Sequence, residues 1–210
     1  MTHGDDQGLI LPPRLAPIQI VIVPIYRNDA EKAQVMPAVE RINRELIETN
    51  FRVKIDDRTE VTPGFKFNDW EMRGVPLRLE IGPKDVQNNS VMSARRDQPG
   101  KEGKKSLSQD QLPGQIAELL TDIQASLFDR ALAFRDAHIF DPKNYDELKE
   151  VVQNGWAFSW WCGSDECEAK VKEDTKATTR CIPLDQPEGK GSCIVCGKPA
   201  TERVYFARAY

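Results

Sequence analysis

Four cysteines in the last third of the chain carry the clearest chemistry. Cys162 and Cys167 enclose Gly-Ser-Asp-Glu, and Cys193 and Cys196 enclose Ile-Val and are followed by Gly197-Lys198. Each short spacing lets one tight turn aim two thiolates at a common point, and two such turns make a tetrahedral four-sulfur site. Soft thiolates in that geometry select zinc or, less often, iron. Such a site leaves no open position for water, so its role is structural. The competing readings are unrelated free thiols and a redox Cys-x-x-Cys, but no thioredoxin-like strand–helix context surrounds Cys193. Cys181 is left over and is expected in the core.

Other chemistry is sparse. The chain has no Gly-rich phosphate loop and no nucleophile elbow. His3 sits beside Asp5-Asp6, which suggests a metal only weakly, and His138 stands alone. Between Lys84 and Lys105 six basic residues (Lys84, Arg95, Arg96, Lys101, Lys104, Lys105) face three acidic ones (Asp85, Asp97, Glu102), a local balance of +3. The whole chain of 210 residues carries −4, which argues against coating nucleic acid by bulk charge. A hydrophobic fraction of 40% suffices for a core, which excludes global disorder. No apolar run is long enough for a membrane span. The opening residues carry no secretory signal, so a reducing, cytoplasmic setting is expected.

The elements that must hold these groups follow from periodicity. Residues 1–17 read either as an extended connector that should pack against something or as a disordered tail. Ile18–Pro24 fits a strand buried on both faces. Asp29 opens a helix to about Thr49, with Ala33, Met36, Val39, Ile42 and Leu46 as its apolar stripe and a break or kink at Pro37. Phe51–Ile55 alternates as a strand, and the crossover implies parallel pairing. Thr62, Pro63 and Gly74 bound a short helix by N-cap, first-turn proline and C-terminal stop. Val75–Ile81 is an alternating strand, Ser90–Ala94 a weaker one, and Arg95–Leu107 a polar loop. Gln109 to His138 is a long helix and Tyr145–Gln153 a short one. Trp156–Trp161 and Arg203–Ala207 are strands. The fold class is α/β: a mixed β-sheet flanked by helices, then a small zinc-stapled α/β domain. A thin core in a domain that small is where a zinc staple is needed.

Three stretches carry a resemblance. HGDDQGLILPPRLAPIQIVIVPI, TPGFKFNDWEMRGVPLRLEIGPKD and CGSDEC…CIVCGK resemble prolyl-tRNA synthetase, the class II, archaeal/eukaryotic-type form with a zinc-binding C-terminal extension. The resemblance covers essentially the whole chain. It implies a truncated piece: residues 1–15 a remnant of the catalytic domain and its linker, 16–125 the anticodon-binding domain, 126–210 the zinc-binding domain. It implies that ATP and Mg2+ bind only on the absent catalytic domain and that this piece alone is inactive. The implied partners are tRNA(Pro) and the chain's own upstream catalytic domain, toward which Tyr210 packs, within a full-length homodimer.

Carried over by motif position, Glu71 and Arg78 resemble guanine-reading residues, and Lys101 a further anticodon contact. Proline anticodons end in two guanines. A carboxylate accepts from guanine N1–H and N2–H, and an arginine forks onto O6 and N7. Arg58, Lys66, Lys84, Lys104 and Lys105 are expected on the RNA backbone. Phe65, Phe67 and Trp70 can stack on bases or, at helical spacing, fill a core. Glu71 can instead make an ordinary ion pair with Arg73 or Arg78. The metal ligands expected are Cys162, Cys167, Cys193 and Cys196. Two other readings stay open: a free-standing zinc-containing RNA- or protein-binding module, and a zinc hydrolase, for which a closed site is unsuited.

Overall fold

The computed structural model describes residues 3–209. They form two compact units, dividing between Ala131 and Leu132. Tyr210, expected to pack toward an upstream domain, lies outside the described residues.

The first unit starts with a small hairpin, β1 (Gly4–Asp5) and β2 (Gly8–Leu9). The following connector is clamped by Arg52, which donates to the carbonyls of Pro13, Arg14 and Ala16. β3 (Ile20–Pro24) is buried throughout, as a strand covered on both faces must be. α1 (Asp29–Glu48) is capped by the Asn28 side chain, which accepts from the Glu31 N–H. Pro37 lies inside α1 without ending it. Proline removes one backbone bond there, but the stripe of Val35, Ala38, Val39, Ile42 and Leu46 is buried on both sides of it. Ala33, expected in that stripe, is exposed.

β4 (Val53–Ile55) pairs parallel to β3. α2 (Pro63–Met72) has the Thr62 side chain accepting from Phe65 N–H, the cap that the sequence predicts. β5 (Leu77–Ile81) pairs parallel to β3 on its other side. α3 (Pro83–Gln87) is a short helix where only a strand end was expected. β6 (Ser90–Arg95) and β7 (Lys104–Ser108) complete a mixed sheet of order β4-β3-β5-β6-β7. The expected 95–107 loop therefore ends in an edge strand. Only Leu107 of β7 is buried, so no apolar alternation marks it. α4 (Leu112–Ala137) is the long helix, buried along Ile116, Leu120, Ile123 and Leu127.

Strand alternation splits the first unit into two layers. Ile20, Ile22, Leu77, Leu79 and Ile81 join α1 and α4 in the main core. Val21 and Val23 face the other way, with Trp70 of α2, Val75 and Phe67. Arg78 and Glu80 alternate with the main-core residues of β5, so they fall on the α2 side.

The second unit contains β8 (Ile139–Phe140), α5 (Tyr145–Val151), β9 (Trp156–Trp161), α6 (Asp165–Thr175), β10 (Ala177–Cys181), the pair β11 (Gly191–Ser192) and β12 (Pro199–Ala200), and β13 (Glu202–Arg208). Its main sheet has the order β10-β13-β9-β8. Leu148, Val152, Ala157, Val171, Ala177, Val204 and Phe206 form its core. Cys181 is exposed, not core. It ends the edge strand β10, where the register with β13 shifts between Thr179 and Cys181. Among the described residues no helix is long and apolar enough to cross a membrane.

Candidate nucleic-acid interface and metal centre

Glu71, at the end of α2, and Arg78, on β5, come together. Arg78 Nη1 donates to Glu71 Oε1 at 2.6 Å. The far side of the same guanidinium is held by Glu80: Nε and Nη2 lie 3.2 and 3.1 Å from Glu80 Oε1. Lys104 of β7 reaches that carboxylate too, at 2.9 and 3.1 Å. The Phe67 ring lies beneath, with the Arg78 guanidinium carbon 4.1 Å and Lys104 Nζ 5.7 Å from its centroid. Arg78 and Glu80 are about nine-tenths buried, whereas the Glu71 side chain is 33% exposed. The fixed face thus points inward, and the carboxylate of Glu71 meets solvent.

The motif alone does not name Glu80. Its signal was the strand itself, since Arg78 and Glu80 stand two apart and share a face.

The other basic residues sort into bound and free. Lys66 is buried and donates to the Asp56 carbonyl at 3.0 Å, and burial pushes its ammonium pKa down. Lys66, expected on an RNA backbone, is thus held inside the fold. Arg58 is paired with Asp56 at 2.7 Å and Asp69 at 2.9 Å. Asp56 also accepts from Trp70 Nε1 at 2.7 Å. Burial opposes its charge, but the Arg58 and Trp70 bonds win and hold its pKa at about 2. Arg95 pairs with Asp97 and Arg96 with Asp5. That leaves Lys84, Lys101 and Lys105 exposed, with no ion pair among the described residues. The Asp5 carboxylate beside His3 is thus taken by an arginine. Trp70 is buried, Phe67 half-buried, and Phe65 exposed.

In the second unit the four cysteines converge. Cys162 follows β9, Cys167 lies in the first turn of α6, and Cys193 and Cys196 lie in the turn between β11 and β12. All four sulfurs lie within 4.8 Å of one another. Cys162 Sγ is 3.6 Å from that of Cys167 and 3.7 Å from that of Cys196. A tetrahedral ion with ~2.3 Å metal–sulfur bonds needs sulfurs about 3.8 Å apart. The second turn is tied by Gly197 N–H to the Cys193 carbonyl and Cys193 N–H to the Lys198 carbonyl, both at 2.8 Å. Ile194 N–H donates to the Trp160 carbonyl, anchoring the turn to β9. Burial disfavours the Cys193 thiolate, but backbone N–H groups of Cys196 and Val195 outweigh it and bring the pKa down to about 7. Burial pushes Cys167 up to about 12. The donor set can hold a metal ion.

Comparison with known proteins divides along the same lines. Residues 19–119 match the family described as anticodon binding domain. Residues 145–210 match the family described as prolyl-tRNA synthetase, C-terminal. The chain is similar to the C-terminal part of prolyl-tRNA synthetases. It is 56% identical over its full length to a proline–tRNA ligase of Roseiflexus sp. (strain RS-1), covering 44% of that protein. It is 52% identical to one from Chloroflexus aurantiacus, covering 44%. It is 50% identical to the chloroplastic/mitochondrial proline–tRNA ligase of Arabidopsis thaliana, covering 39%. The chain thus spans less than half the length of the prolyl-tRNA synthetases it matches. Glu71, Arg78 and Lys101 fall inside the anticodon-binding match, and the four cysteines inside the C-terminal match.

Proposed function

We propose that this chain is the tRNA-reading C-terminal portion of a proline–tRNA ligase, a class II aminoacyl-tRNA synthetase. The observation that carries the reading is the Glu71–Arg78 pair, inside the anticodon-binding match and at the rim of the sheet's α2 face. Guanine offers N1–H and N2–H to Glu71 and O6 and N7 to Arg78. Glu80 and Phe67 keep the guanidinium in one orientation, so little ordering is left for the RNA to impose. Lys101 supplies a further anticodon contact. Lys84 and Lys105, and Lys104 at the edge of the pair, add a salt-sensitive attraction for RNA phosphates, and Arg58 a phosphate contact beside Asp69.

Residues 1–15 are read as the end of the catalytic domain and its linker, 16–125 as the anticodon-binding domain and 126–210 as the metal domain. The four cysteines hold Zn2+, a fit supported by the sulfur spacing. ATP, Mg2+ and proline chemistry belong to a domain upstream, in a cytoplasmic homodimer. The metal-bearing extension supports the archaeal/eukaryotic-type form as an architecture, whatever the source organism.

The test is binding of a synthetic anticodon stem-loop of tRNA(Pro) to this chain. Replacing its last two anticodon guanines with adenines is expected to weaken binding at least tenfold. Equal binding of both RNAs would overturn the reading.

A further inference from the structure

Arg96 is a buried guanidinium that the guanine contacts do not use. Its side chain is 2% exposed. It makes four bonds to three residues in two separate segments, the β1–β2 hairpin and α2. Nη1 and Nη2 fork onto the Asp5 carboxylate at 2.9 and 2.6 Å. Nη2 also lies 3.3 Å from the Gly8 carbonyl. Nε donates to the main-chain carbonyl of Glu71 at 3.0 Å.

That carbonyl lies in the last turn of α2 and already accepts the Gly74 N–H at 3.0 Å, so Arg96 is its second donor. The last turn of α2 has no basic residue of its own. Arg96 adds from outside a second, charged donor and so the positive charge that a helix C-terminus favours. The fork on Asp5 fixes the guanidinium plane, so the Glu71 backbone is tied through Arg96, 25 positions away, to Asp5, which stands 91 positions from Arg96.

The packing around this contact is close. A Cβ on Gly8 would sit 2.5 Å from the Met72 Cα, and one on Gly74 would sit 2.6 Å from the Leu9 Cβ. Both glycines also have positive φ, +128° and +73°. Leu11 N–H donates to the Gly74 carbonyl at 3.2 Å. The β1–β2 hairpin is therefore seated against the end of α2 by close backbone approach at Met72 and at Gly74.

We infer that Arg96, held by Asp5, is a positioning residue for guanine reading by Glu71, and that the β1–β2 hairpin is part of the anticodon-reading site. This rests on Glu71 reading guanine, as proposed above. Glu71 and Arg78 are positioned by different means. Arg78 is fixed by Glu80 and Phe67 on the sheet side. The Glu71 carboxylate is braced by Arg78, but its backbone is set by the last turn of α2, which Arg96 ties to Asp5. Loosening Arg96 therefore releases one half of the pair and leaves the other in place.

Base analogues separate the halves. Inosine lacks the N2 amine that a carboxylate reads, and 7-deazaguanine lacks the N7 that an arginine reads. Three tRNA(Pro) anticodon stem-loops, with guanine, inosine or 7-deazaguanine at the last two anticodon positions, are titrated onto the unaltered chain and onto Arg96→Met and Asp5→Asn. The unaltered chain is expected to bind the guanine RNA about tenfold or more tighter than either analogue. Arg96→Met is expected to bring the inosine penalty down to about twofold and to keep the 7-deazaguanine penalty. Asp5→Asn keeps the shape of the side chain and is expected to do the same to a smaller degree; it decides the matter if Arg96→Met does not fold. Retention of the full inosine penalty in the variants would overturn the inference. So would equal loss of both penalties, which is what general loosening of the unit produces. An unaltered chain with no inosine penalty would instead overturn guanine reading by Glu71 itself.

Discussion

At the scale of single residues, the Glu71–Arg78 pair, proposed to read guanine, shows how stability and recognition load one site unequally. Arg78 neutralises Glu80, which is 8% exposed, and braces Glu71, which is one-third exposed. Removing a partner from a buried charge costs far more than removing one from a surface charge. Arg78→Ala is therefore expected to cost about 2 kcal/mol of stability, since Lys104 remains to Glu80, together with the loss of guanine affinity. Glu71→Gln should cost under about 1 kcal/mol of stability but ~1–3 kcal/mol in binding the guanine-bearing stem-loop. Urea unfolding and stem-loop titration, run on the same two variants, separate the effects. A Glu71→Gln variant that binds as tightly as the parent chain would remove Glu71 from the reading. The pair was legible from motif position. Its clamp was not, because Lys104 comes to Glu80 only through the pairing of β5 with β6 and β6 with β7.

At the scale of elements, α2 shows which parts of a fold local chemistry announces. Thr62, Pro63 and Gly74 mark its limits in sequence, because a cap is satisfied by residues three positions away. The pairing of Arg96 with Asp5 leaves no such mark, and neither do α3, α6 and β10, which lack a long apolar period. β7 hides for the opposite reason: Lys104, Lys105 and Ser106 face solvent, as suits a sheet edge. What anchors α2 to the sheet is Asp56, just beyond β4, through Trp70 and Arg58. Its carboxyl is held at about 2 in the folded chain, against about 3.9 when unfolded. A depressed pKa means that the folded state favours the ionised form. Its contribution is complete above about pH 5 and is lost as pH falls toward 2, roughly 2 kcal/mol in all. Urea midpoints measured from pH 6 to pH 2 should therefore fall through that window, and the fall should be shallower in Asp56→Asn. An unchanged acid slope in the variant would mean that other carboxylates carry it.

At the scale of the whole molecule, the two units hold themselves together by different means. The first buries two layers, with strands β3 and β5 contributing to both faces of a five-stranded sheet. The second has one small core, two of whose members, Ala157 and Ala177, bury little area, and no disulfide among the described residues. Ile194 and Val195, between the last two cysteines, pack on that core, and the Ile194 N–H bonds to β9. The cysteine cluster and the core are thus parts of one packing arrangement. A metal that binds the folded site and not the open chain adds its binding free energy to the stability of that unit. Metal analysis of the purified chain should find about one zinc. Chelation should then remove amide-exchange protection from β9 and β13 while β3 and β5 keep theirs. Three of the four tryptophans, Trp156, Trp160 and Trp161, lie on β9, so fluorescence should follow the same titration. Cys196→Ser should reproduce the chelated state without chelator, because three thiolates close the site poorly. If chelated protein keeps full protection in β9 and β13, the second unit stands on its apolar core alone and the four thiolates are not its staple.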